Sequence, residues 1–180
     1  MSKRIVTHLS SVDPVMGGVI AAAGGRYTLK PEVGGEPFKV LARAIAHQQL
    51  NGIAANTILT RFINTVGNGE FPTPAAVLAA PEQTLRAAGF SFSKIAALRD
   101  LAQKTTEGIV PDRATLEALD NDAIIERLTQ VRGIGRWTVE MLLMFQLGRP
   151  DVLPVDDFGV RNGFRLAYGL PKMPAPKALA

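Results

Sequence analysis

What most limits the fold of this chain is a repeating cycle of apolar segments at helical period, separated by cap residues and helix breakers. In PFKVLARAIAHQQ the apolar residues return every three or four positions, and the same spacing runs through GIAANTILTRFINTV and KIAALRDLAQKTT. No segment alternates polar and apolar residues long enough to predict a strand. Asp13 followed by Pro14 opens a helix over 13–24 that Gly24 and Gly25 stop. Pro37 starts the next, Asn51 caps another, and Thr73 with Pro74 and then Pro81 open two short ones, the second ending at Gly89. Ser91 or Ser93 caps KIAALRDLAQKTT, 115–119 forms a short helical turn, and Asp120 or Asp122 caps AIIERLTQ. Helices from Arg136 to near Leu147 and from near Asp157 to Tyr168 complete the series. The prediction is an all-α protein of about ten short helices, with the glycine-rich linker 25–36 as the place where two lobes meet.

Composition narrows the chemistry. With no cysteine, the chain has no disulfide, no thiolate nucleophile and no cysteine-ligated zinc or iron–sulfur cluster. His8 and His47 are its only histidines, too few for a histidine-rich metal site. No apolar run reaches the ~18 residues of a membrane span. The start, MSKRIVTHLSSVD, lacks the apolar core of a secretion signal. The expectation is a cytoplasmic protein without a cofactor. Twenty Lys+Arg against sixteen Asp+Glu give a formal net charge of +4, which suits a polyanionic partner but also many enzymes. Placement is more telling, because Arg132, Arg136, Arg149, Arg161 and Arg165 all fall in one third of the chain.

That third contains VRGIGRWTVEMLLMFQLGRPDVLPVDDFGVR, residues 131–161. A helix ending near Thr129 meets Gly133, Ile134 and Gly135 and restarts at once at Arg136. The two glycines are expected to supply positive φ values and a close backbone approach, and Ile134 to pin the two helices together. The second helix would then direct its opening amides and positive dipole end at the hairpin, a site for phosphate that is blind to base sequence. A plain helical corner that merely packs is the competing reading of the two glycines taken alone.

The flanking residues favour the phosphate site. LTQVRGIGRWTVEMLLMF with the trailing VLPVDDFGVR resembles the helix-hairpin-helix motif of the DNA glycosylase superfamily, with LARAIAHQQLNGIAANTI and GFSFSKIAALRDLA extending the likeness over 37–168. The branch it is most similar to is the DNA-3-methyladenine glycosylases of alkylation repair. The resemblance implies a two-lobed helical fold over 1–180 as a single domain, the motif itself over 126–148, and a monomer that acts on double-stranded DNA containing alkylated bases. It implies excision of 3-methyladenine and 7-methylguanine, in a nucleoid-associated protein. It also implies a hairpin grip on DNA by Arg132, Gly133, Ile134, Gly135 and Arg136, with a cation held by the backbone carbonyls of Thr129, Val131 and Gly133 as a further possibility, and no other metal.

By the same resemblance Asp157, the second carboxylate of LPVDDFG, is catalytic, and Asp156 is left to cap the following helix. A carboxylate near the glycosidic carbon stabilises an oxocarbenium-like transition state and orients the attacking water. Asp157 is expected at the mouth of a cleft between the lobes, facing Trp137. Trp137 stands where the lyase members of the family carry their Schiff-base lysine, and no lysine lies between Lys104 and Lys172, so the expected chemistry is hydrolysis alone. Trp137 would line the base pocket by a cation–π contact or else pack in the core. Met141, one turn on, replaces a second pocket aromatic, and Glu140 is expected to face solvent or to cap.

His47 is read as a core histidine on the inner side of its helix, and by resemblance as a base-pocket residue. Gln49 would enter the gap left by an extruded nucleotide, with Leu50 or Asn51 on the opposite strand. The alternative has Gln48 and Gln49 bonded to nearby backbone and Leu50 buried. The end, MPAPKALA, reads as the start of another helix, and the family usually continues with one more that closes the pocket. A second function fits the same motif: a DNA-binding module that kept the hairpin and lost its catalysis.

Overall fold

The computed structural model describes residues 3–24, 32 and 34–179. Its regular structure is helical, with no strand among the described residues. The helices are α1 (Lys3–Val12), α2 (Pro14–Ala22), α3 (Pro37–His47), α4 (Gly52–Val66), α5 (Pro74–Ala79) and α6 (Glu82–Ala88), followed by α7 (Phe92–Thr106), α8 (Arg113–Ala118), α9 (Asn121–Leu128), α10 (Arg136–Phe145), α11 (Phe158–Ala167) and α12 (Pro176–Leu179).

The helices start where local chemistry dictates. Asp13, Asn51, Thr73, Ser91, Asp112 and Asp120 each accept a hydrogen bond from an amide of the first turn that follows, satisfying a donor that has no partner inside the helix. Ser91 and Asp120 are therefore the caps, rather than Ser93 and Asp122. The sequence reading missed α1, whose apolar residues Ile5, Leu9 and Val12 stay partly or largely exposed. Residues 25–31 and 33 of the expected linker lie outside the described residues.

The chain divides into two compact units, in keeping with the expected two-lobed fold. One spans 32–142. Its core is built on α3, which buries Phe38, Leu41, Ala42, Ile45 and Ala46 along one stripe at helical spacing. α3 packs on α4 and on α7, which buries Ile95, Ala97, Leu98, Leu101 and Ala102. Phe62 is fully buried and lies edge-on to Phe71 and Phe90, with centroids at 6.0 and 5.3 Å. Burying each such ring stabilises the fold by about 1.5–3 kcal/mol.

The second unit joins α1 and α2 to the chain from Leu143 onward. No residue of α1, α2 or α11 is fully buried, so polar links matter more here. The Tyr168 hydroxyl donates to the Asp13 carboxylate; that bond first, and the Met16 amide after it, hold the Asp13 carboxyl below its ordinary range. The Tyr168 ring stacks on Phe164 at 4.2 Å, and Arg161 Nε donates to Pro174 O at 2.9 Å. No helix among the described residues is long and apolar enough to cross a membrane.

Candidate functional site

After α9 the chain turns through bonds from Val131 N to Leu128 O (3.1 Å) and from Ile134 N to Val131 O (3.0 Å). Val131 and Ile134 are buried, while Arg132, Gly133, Gly135 and Arg136 are exposed. Ile134 is thus the pin the sequence predicts. The two glycines differ, contrary to expectation. Gly133 has φ +78°, and a Cβ there would meet the Ala97 side chain at 3.4 Å. Gly135 is not in the left-handed region, and a Cβ added to it would meet nothing within 4 Å. The reversal needs only one left-handed residue, so Gly135 is a bare, exposed position that the fold itself does not require. Its carbonyl accepts from Thr138 N (3.0 Å) and Val139 N (3.3 Å), which opens α10.

Three side chains brace this hairpin. Asp100 Oδ2 accepts from the Arg132 amide at 2.6 Å and from Lys104 Nζ at 2.7 Å. Lys104 also donates to Gln130 O at 2.5 Å, and Gln48 Nε2 donates to Gly133 O at 2.8 Å. The Arg132 amide is therefore occupied, and only its exposed side chain can meet a phosphate. Arg136 Nε donates to Glu140 Oε1 at 2.9 Å, and Glu140 is only 3% exposed. That corrects the expectation of a solvent-facing or capping Glu140, which lies on the buried side of α10 with Val139 and Leu143. The carbonyls of Val131 and Gly133 already accept one hydrogen bond each; an oxygen with two lone pairs can still ligate a cation.

On α10, Trp137 is 48% exposed, which rules out plain core packing. Met141, half-buried, follows it one turn on, on the same helical face. The buried residues of this helix are Val139, Glu140, Leu142 and Leu143. His47, by contrast, is exposed at the end of α3. It is not a core histidine, because the inward stripe ends with Ile45 and Ala46 and the next residue turns away.

Residues 47–51 link α3 to α4. Leu50 N donates to His47 O at 3.2 Å, and Gln49 has φ +58°. Gln49 is exposed and Leu50 is 39% exposed, so neither is buried. The Asn51 side chain caps α4 by accepting from Ala54 N at 2.9 Å. Gln48 bonds to backbone, though to a residue 85 positions away rather than a neighbour.

In the other unit, Asp157 N donates to Pro154 O at 2.9 Å, and Asp157, not Asp156, is the N-cap of α11, accepting from Val160 N at 2.8 Å. This corrects the assignment of the cap to Asp156, which is exposed while Asp157 is half-buried. The turn closed on Pro154 places the helix boundary one residue later than expected. Gly159, which sequence reasoning passed over, lies against the same carboxylate: a Cβ there would stand 3.0 Å from Asp157 Oδ1. The glycine two residues beyond the aspartate in VDDFG was the available signal.

A family model described as HhH-GPD superfamily base excision DNA repair protein matches residues 42–180. The chain is 44% identical over 167 residues to DNA-3-methyladenine glycosylase 1 of Schizosaccharomyces pombe, covering 93% of this chain and 73% of that one. It is 32% identical to an alkylbase DNA glycosidase-like protein of the same organism, covering 96% of this chain and 81% of the relative. Among solved structures it matches the S. pombe 3-methyladenine DNA glycosylase in complex with abasic DNA, with a TM-score of 0.83 and 42% identity over 98% of this chain and 85% of that one. A DNA-3-methyladenine glycosidase from Bacillus halodurans matches with a TM-score of 0.74 and 35% identity over 83% of this chain and 68% of that one. Joined to the braced Gly133 hairpin and the Asp157 cap, these matches establish that the chain belongs to the HhH-GPD superfamily of base excision DNA repair proteins.

Proposed function

We propose that the protein is a monofunctional DNA glycosylase that hydrolyses the N-glycosidic bond of alkylated purines, 3-methyladenine and 7-methylguanine, in double-stranded DNA. The observation that carries this reading is Asp157: a half-buried carboxylate fixed by the Val160 amide, with Gly159 leaving it room, in a chain 44% identical to a relative named DNA-3-methyladenine glycosylase 1.

A target base has to leave the stack before its glycosidic carbon can be reached. The exposed hairpin grips the backbone through the bare Gly135 and the Arg132 and Arg136 side chains. A cation on the carbonyls of Thr129, Val131 and Gly133 would add positive charge there. Gln49 fills the vacated space, with Leu50 beside it; Asn51 serves first as the cap of α4. Trp137 offers its face to the electron-poor base, a contact worth about 1–2 kcal/mol when desolvated, and Met141 and His47 complete the candidate pocket.

A 3-alkylated adenine is cationic, so it departs with the bonding electron pair as a neutral base and needs little acid catalysis. Asp157 stabilises the positive charge left on the sugar and orients water, which adds to the anomeric carbon and releases a proton. With no lysine between Lys104 and Lys172, and so none in the helix just after the hairpin, no Schiff base forms there and the backbone stays intact. On this reading the protein works as a monomer, without a cofactor, in the cytoplasm at the nucleoid. Release of 3-methyladenine and 7-methylguanine from methylated duplex, followed by chromatography, tests it. DNA binding without release would point to the alternative, a non-catalytic helix-hairpin-helix module.

A further inference from the structure

Gln48, one of the three braces of the hairpin, also sits in the turn that carries Gln49. Its φ of −52° and ψ of 129°, the positive φ of Gln49 and the bond from Leu50 N to His47 O make residues 47–50 a type II turn. Such a turn calls for glycine or asparagine in its third position. Glutamine is strained there and persists only where its surroundings hold it.

The surroundings do hold it. Lys94 Nζ, at the start of α7, donates to Ala46 O at 2.8 Å and to Gln48 O at 2.7 Å. Lys94 thereby fixes both the end of α3 and the second residue of the turn. On the far side, the Asn51 cap fixes where α4 begins. From between these two clamps the Gln48 side chain reaches across to the Gly133 carbonyl. Gly133 is the left-handed residue of the hairpin, next to the Arg132 amide that Asp100 holds.

We propose that Gln48 is a positioning residue that ties the phosphate-gripping hairpin to the inserting turn, so that Gln49 is presented at a set distance from the gripped backbone before DNA arrives. This rests on the functional reading above, in which the hairpin is the anchor and Gln49 the probe. The benefit is preorganisation, because the turn has no freedom left to lose on insertion. Without the Gln48 amide the hairpin keeps its Asp100 and Lys104 braces, and Gln49 keeps its side chain. Only their mutual placement loosens.

The test is a double-mutant cycle on Gln48→Ala and Gln49→Ala. Affinity is measured by fluorescence anisotropy for a duplex with one abasic site and for the same duplex undamaged, beside base release from methylated DNA. Wild type is expected to prefer the abasic duplex and to release alkylated base. Gln48→Ala should narrow that preference about fivefold to tenfold, within the usual range for coupled neighbours, with undamaged-duplex affinity held within about twofold. In the Gln49→Ala background it should narrow it no further. Gln48→Glu, which keeps the shape but sets a carboxylate against the Gly133 carbonyl, should act like alanine. An unchanged preference in both Gln48 variants, or additive losses in the double variant, overturns the proposal. A wild type with neither preference nor base release overturns the functional reading instead.

Discussion

Substituting the two hairpin glycines separately should move stability and DNA affinity in opposite directions. Gly133 has φ +78°, a region that costs a residue with a Cβ about 1–2 kcal/mol. The contact a Cβ would make there, 3.4 Å from the Ala97 side chain, is tight enough to add a little. Gly133→Ala should therefore lose roughly 1–2 kcal/mol, a drop of about 2–8 °C in Tm for a protein of this size. Gly135 has ordinary backbone and open space around its Cβ position. Gly135→Ala should be neutral or stabilise by about 0.4–1 kcal/mol, since alanine restricts the unfolded chain. On DNA the order reverses. Gly135→Val should weaken binding most, because its side chain stands where a phosphate must approach, and affinity should fall without any change in base preference. Thermal unfolding gives the first half, and anisotropy on undamaged duplex across a salt series gives the second. Wild-type affinity in Gly135→Val would mean that the hairpin only packs. Unfolding of Gly133→Ala at the wild-type temperature would refute the strain argument.

Three further outcomes follow from the site. Arg136→Ala leaves the buried Glu140 without the guanidinium that donates to it and should cost about 1–3 kcal/mol, whereas Arg132→Ala should lower DNA affinity with unfolding unchanged; equal stabilities of the two variants in denaturant would contradict this. Gly159→Ala pushes a methyl to within 3.0 Å of Asp157 Oδ1 and should slow base release well beyond any change in Tm, so full activity would show that the carboxylate needs no such room. Burial pushes the Asp100 carboxyl up, but the Arg132 amide and the Lys104 ammonium outweigh it and hold it below its ordinary value of 3.8. A carboxylate lowered by folding stabilises above its unfolded pKa, and that stabilisation is lost as pH falls below about 4 toward the folded value. Hydrogen exchange should therefore show Arg132 amide protection fading in that window for wild type, with Asp100→Asn lacking the step.

Local chemistry explains what could be read in advance. The caps at Asp13, Asn51 and Thr73 and the buried stripe of α3 depend on residues a few positions apart, and the family likeness rests on short contiguous segments within 37–168. The errors arose where the deciding partner was not local or where two neighbours competed. Asp156 and Asp157 both precede α11, and only the turn closed on Pro154 selects the cap. Glycine permits a positive φ without demanding it, so Gly133 and Gly135 look alike in the sequence. The four-residue spacing of Arg136 and Glu140 permits the ion pair that the sequence reading overlooked, but leaves open which end lies in the core. The Gln48 contact with Gly133 spans 85 residues and leaves no local trace.

The central claim is that Asp157 carries the chemistry. Asparagine caps a helix about as well as aspartate, so Asp157→Asn removes the charge while keeping the bond to Val160 and the fold. Release of 3-methyladenine from methylated duplex under single-turnover conditions should then fall by roughly 10²–10³, as for other losses of one electrostatic stabiliser, with DNA affinity equal or tighter. Asp156→Asn, at an exposed position outside the cap, should release base at close to the wild-type rate. Undiminished release in Asp157→Asn, or its abolition in Asp156→Asn alone, would contradict the account.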